Sequence, residues 1–199
     1  MLQCKGVDMS FSNFDIHTRE LFWGNVLLMV CSLFYLAWWI VAFKPNGAAK
    51  EIITGPLLAA AMMAGIIAVV LTIMGINTIP HEATLLPMKP IIWGGVAAYF
   101  ILLAITYFLF KRQVTSELLL IVGWAMLELS VINVLYGAGR FGMKTAIVLF
   151  VAIGIAVVIS LVSYVLYYRL EENSSYIDGM IPLIIETLVM AGISVSMLA

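Results

Sequence analysis

The sequence predicts an all-α, polytopic membrane protein built as a bundle of six transmembrane helices. Three observations carry that expectation. First, of 199 residues, 64% are hydrophobic and 11% charged, where a soluble domain carries roughly a quarter charged residues. Second, apolar runs of about 20 residues recur along the chain, the length needed to cross a bilayer core as helix. Third, the runs are continuous rather than alternating, and backbone groups in lipid must be satisfied within a helix or a closed barrel.

The spans are read at 21–43, 52–76, 90–110, 116–137, 143–168 and 178–198. Polar or helix-breaking residues bracket each one. Lys44-Pro45-Asn46-Gly47 ends the first span. Pro80, Pro87 and Pro90 frame the second connection. Lys111-Arg112-Gln113 closes the third span, and Gly137-Ala138-Gly139-Arg140 the fourth. Residues 169–178 form the most polar loop, with Glu171, Glu172, Asn173, Ser174 and Ser175. The chain therefore divides into a polar N-terminal segment, 1–20, and one transmembrane domain, 21–199. No apolar leader stretch is read in residues 1–20, so the first span would itself direct the chain to the cell membrane as a multi-pass protein.

Aromatic residues gather at span ends: Trp23, Trp38, Trp39, Trp93, Tyr107, Tyr136, Tyr167, Tyr168 and Tyr176. Anchoring at the lipid–water boundary explains most of them. Trp124 lies inside its span and is the exception. Lys and Arg divide five against five between the two faces, so the positive-inside rule sets no orientation. Three of those on the face opposite the termini abut span ends more closely than Lys5, which favours termini outside. A shift of 88 residues lays span two on five and span three on six, matching Ile67–Ile73 to Ile155–Leu161. That reads as two inverted three-helix halves, a plan common among transporters.

Small residues trace one seam of span two: Ala61, Gly65, Ala68, Thr72 and Gly75. Ala152, Ala156, Ser160 and Ser163 do so in span five, and Gly123, Ser130 and Gly137 in span four. Such stripes let helix backbones approach closely in lipid.

Glu128 and Glu186 are the strongest functional lead. Each falls inside a membrane-spanning run, where a charge costs roughly 2.5–3.5 kcal/mol on insertion scales. Burial in the bundle, a partner, a water-filled cavity or protonation must offset that cost. Trp124 and Asn133 accompany Glu128, and Glu117 stands three turns earlier on nearly the same face. Pro182, one turn before Glu186, frees a backbone carbonyl and can kink the helix. Asn25, Ser32 and Trp39 recur at seven-residue intervals in span one with Tyr35 beside them, a polar-aromatic stripe suited to a solute path or to a helix contact.

Glu128, Glu186, Asn133, Trp124, Asn25 and Tyr35 are thus the candidate solute- or ion-binding residues. No catalytic, phosphate-binding or metal motif is present, and no enzyme activity or cofactor is expected. Cys4 and Cys31 are read as free thiols, and His81 and Glu82 as surface-loop residues. The net charge of −1 gives no case for nucleic acid. The first functional expectation is a small transporter or channel for a small solute or ion, with the carboxylates as coupling or binding groups. The alternatives are a substrate-binding membrane subunit that works with energising partners, and a structural or assembly protein. The expected partners are the bilayer, the solute, and either a second copy or such energising subunits.

Overall fold

The computed structural model describes residues 16–44, 51–79, 84–108 and 116–199. Cys4, Pro45–Gly47, Pro80, His81, Glu82 and Lys111–Gln113 lie outside the described residues, as does most of the polar N-terminal segment. Seven helices follow in order: α1 Ile16–Ala42, α2 Glu51–Thr78, α3 Met88–Phe108, α4 Ser116–Gly137, α5 Met143–Leu166, α6 Glu172–Asp178 and α7 Met180–Leu198. Among the described residues six spans are long and apolar enough to cross a bilayer, the last made by α6 and α7 together. The chain is a multi-pass membrane protein of all-α architecture.

Two boundaries differ from the hydropathy reading. Helix α1 begins at Ile16, five residues before the apolar run, because its polar first turns stay helical and Thr18 is buried. The polar stretch expected as a loop contains α6, and only Gly179 separates it from α7. Gly179 keeps right-handed helical angles (φ −65°, ψ −18°), so the chain breaks there without a true loop. Pro182 is the third residue of α7, in the first turn, where a missing N–H costs little. The carbonyl it would have bonded belongs to Asp178, at the break itself.

The α4–α5 connection is tight. Gly139 takes a left-handed conformation, φ 71°, which glycine adopts without steric penalty. The amides of Arg140 and Phe141 then return to the Leu135 carbonyl at 2.9 and 3.2 Å.

The helices pack as a ring, α1–α7–α5–α4, closed weakly by α2 against α4. Helix α3 sits outside that ring against α4. Over half of α4's apolar stretch is buried, against less than a third in every other span. The proposed repeat finds no support in this packing. Helices α5 and α7 pack extensively, while α2 and α3, their counterparts under the repeat, do not among the described residues.

The most extensive contact is α1 on α2, and the small-residue seam explains it. A Cβ on Gly24 would overlap the Thr72 hydroxyl and stand 3.1 and 3.2 Å from Thr72 N and Ala68 O. One on Gly75 would come within 2.7 Å of Leu21, and one on Gly65 within 3.1 Å of the Cys31 sulfur. In the expected stripe of α4, Gly123 faces open space and makes no close crossing, while Ser130 is buried. Close approach to α4 comes instead from Gly95 of α3, which lies against Met126.

Candidate functional site

The seven-residue stripe of α1 is a zipper to α6 and α7. Asn25 Nδ2 donates to the Met190 carbonyl and to Ser194 Oγ, both at 2.7 Å. Ser32 Oγ donates to the Leu183 carbonyl at 3.1 Å, and Thr187 donates to Ser32 at 2.9 Å. Trp39 Nε1 donates to the Tyr176 carbonyl at 3.1 Å. Each step of seven residues along α1 meets a step of seven back along the partner, as two antiparallel helices in steady register require. Of the stripe read as a solute path or a helix contact, Asn25 and Ser32 are thus taken up by helix–helix hydrogen bonds, while Trp39 makes such a bond and also lines a cavity with Tyr35. These bonds offset the burial of Ser32 and of the Asn25 Nδ2 group in lipid, while Asn25 Oδ1 has no hydrogen-bond partner among the described residues.

Asn133 is engaged elsewhere. Its amide brackets one residue of the α2–α3 connection, accepting from Leu86 N at 3.0 Å and donating to Leu86 O at 2.7 Å. It holds that connection against the end of α4, away from Glu186.

The bundle is packed differently in its two halves. The main apolar core draws Leu21 and Phe22 from the start of α1 and Ile79 from beyond the end of α2. It draws Ile132 and Leu135 from the second half of α4, Ala146 and Leu149 from the start of α5, and Ile193 and Met197 from the end of α7. These lie in the half that holds the start of α1, the cluster continues through mid-span with Trp124, Ala125, Ile153, Ala156 and Met190, and a smaller cluster of Leu118, Ile121 and Tyr164 packs the opposite half. The opposite half contains a cavity of about 90 Å³, room for several waters or a solute of a few heavy atoms.

Four helices line this cavity. From α1 come Tyr35 and Trp39, and from the start of α4 come Glu117, Leu120 and Ile121. Helix α5 gives Ser160, Ser163 and Tyr164, with Tyr167 just beyond it. Gly179, Pro182, Leu183 and Glu186 complete the wall. The end of α1, the start of α4, the end of α5 and the start of α7 therefore share one face, as an alternating six-span topology requires.

Glu186 sits six residues into α7, about 9 Å below its first residue at 1.5 Å per residue. Ser160 Oγ donates to its Oε1 at 3.4 Å. Ser163 donates to the Asp178 carboxylate at the α6–α7 break, and Asp178 is buried. The break itself is shaped by Trp39. A Cβ on Gly179 would overlap its indole ring, so glycine is what admits the ring. Trp39 also stacks on Phe43 at 4.4 Å and meets Tyr167 edge-on at 5.5 Å. Expected as a lipid-boundary anchor, Trp39 is instead 6% exposed and interior. Trp23 and Trp93 are exposed, as boundary residues should be.

Glu128 lies in the packed half's upper layer, fully buried. Neither of its carboxylate oxygens has a hydrogen-bond partner among the described residues, and neither has Trp124 Nε1 one turn earlier. An ionised carboxylate so placed would carry the full cost of desolvation. Of the six residues singled out from the sequence, Glu186 and Tyr35 line the cavity. Glu128, Trp124, Asn25 and Asn133 do not. Sequence reasoning left out Ser160 and Ser163 as site residues because they also fit a small-residue packing stripe, and it left Asp178 at a presumed loop.

No family model, curated protein or solved structure matches the chain.

Proposed function

We propose that the protein moves a small solute or ion across its membrane, with Glu186 as the binding or coupling carboxylate at the inner end of the cavity. The observation that carries this reading is the cavity lined by a membrane-embedded carboxylate, Glu186. The main apolar core includes Met190, one turn further along α7. A purely structural bundle has no need to keep a carboxylate facing a void, because polar groups in lipid are costly unless used or paired. A transporter caught with access from one face requires that arrangement. Glu128, deeper in the same bundle, is the second carboxylate on such a route.

The reading is tested in proteoliposomes of the purified chain enclosing a pH-sensitive dye, with gradients of sodium, potassium, alkylammonium and neutral polyols imposed in turn. At least one gradient should drive a signal absent from protein-free vesicles and reduced at least tenfold in Glu186→Gln. Silence under every gradient would favour a subunit that depends on partners or a structural role.

A further inference from the structure

We propose that the cavity binds a small organic cation, a protonated or quaternary amine, held by Glu186 and by the aromatic rings of Tyr35 and Trp39. The proposal rests on reading this cavity as the solute site. Three features point to that class.

The first is charge. Glu186 lines the cavity, Asp178 is joined to it through Ser163, and among the described residues no Lys, Arg or His lines it. A cation there meets the Glu186 carboxylate in a setting where screening is weak.

The second is the make-up of the wall. It is mostly apolar and aromatic on every side, with Tyr35, Ile121, Tyr164, Tyr167 and Leu183. Into it project the Ser160 and Ser163 hydroxyls and the Glu186 carboxylate. A bare inorganic cation needs oxygen ligands on most sides. An alkylammonium has one charged centre and an apolar skin, and it fits an aromatic and apolar wall that carries one deep carboxylate. Tyrosine and tryptophan faces attract such cations through the ring quadrupole.

The third is size. A cavity of about 90 Å³ takes a solute of a few heavy atoms, and the packed core beneath Glu186 sets a floor.

The probe is tetramethylammonium chloride, titrated onto the purified chain in detergent and read by calorimetry and by thermal unfolding. Potassium chloride and tert-butanol serve as the inorganic-cation and neutral-shape controls. Saturable binding is expected for tetramethylammonium alone. Glu186→Gln, which keeps the shape of the side chain, should weaken it at least tenfold. Tyr35→Leu should weaken it roughly three- to tenfold, the range expected for losing one ring face, and Tyr35→Phe, which keeps the ring, should weaken it less than Tyr35→Leu. Equal binding of potassium or of tert-butanol would overturn the proposal, as would unaltered binding by a folded Glu186→Gln variant. Solute movement in proteoliposomes without tetramethylammonium binding would remove the cation class and leave the transport reading. Tetramethylammonium binding without any movement would do the reverse.

Discussion

Glu128 illustrates how much the position of one atom pair decides. Glu186 has a serine partner and a cavity, so its carboxylate is solvated in a limited way. Glu128 is fully buried with both oxygens unpartnered among the described residues. Leaving a buried polar group without a hydrogen bond costs roughly 1–3 kcal/mol. Replacing it by an apolar side chain of similar volume removes that cost. Glu128→Met is therefore expected to raise the apparent melting temperature of the purified protein while abolishing solute movement, as strained functional positions do. A drop in melting temperature would reveal a partner that stabilises the carboxylate. Asn133 gives the opposite case. Its two bonds to Leu86 are satisfied, so Asn133→Ala should lower stability by about 1–3 kcal/mol through the orphaned Leu86 backbone groups. Greater protease cutting at residues 84–87 than in the parent would mark where the loss acts, and unchanged melting and cutting would exclude the clamp.

Among the elements, the α1–α2 pair shows what sequence spacing can and cannot deliver. The stripe Ala61, Gly65, Ala68, Thr72 and Gly75 was legible because close helix crossings in lipid demand small side chains at a fixed period. The partner surface was not legible, since Gly24 and Cys31, which meet the stripe, are flanked by large residues such as Leu21 and carry no repeating small-residue period. The two neighbouring glycines of α3 make the same point: Gly95 meets Met126, while Gly94 meets nothing within 4 Å. Gly24→Ala must push Thr72 or the α2 backbone aside, and overpacking of this kind costs about 1–3 kcal/mol. Gly94→Ala should leave melting unchanged or slightly raise it. Equal melting of the two variants would count against the close crossing. The heptad stripe of α1 was equally visible, but two roles fit it. Only the matching seven-residue steps of acceptors on α6 and α7 decide between a path and a zipper, and backbone carbonyls leave no mark in a sequence.

For the molecule as a whole, the six spans followed from hydropathy because bilayer thickness fixes helix length. The uneven filling of the bundle did not, because it depends on which helix ends meet across the core. Under the proposed function its expected consequence is one-sided access, and two serines test that under matched conditions. Ser163 lies three residues from the end of α5 and Ser194 four from the end of α7, or about 4.5 and 6 Å from opposite faces. Both are nearly fully buried, at 4% and 7% exposure. Neither depth nor static burial separates them, but Ser163 lines the cavity and Ser194 sits beside the apolar core, bonded to Asn25. In a background with Cys4 and Cys31 replaced by alanine, Ser163→Cys should react with a small membrane-impermeant methanethiosulfonate added to one face only. Ser194→Cys should resist it from either face. Excess tetramethylammonium should slow the reaction at Ser163→Cys, since the solute and the reagent would share the same space. Equal reactivity of both positions, or reaction of Ser194→Cys alone, would mean that the packed half is not the closed one, and the cavity would lose its standing as the path by which a solute reaches Glu186.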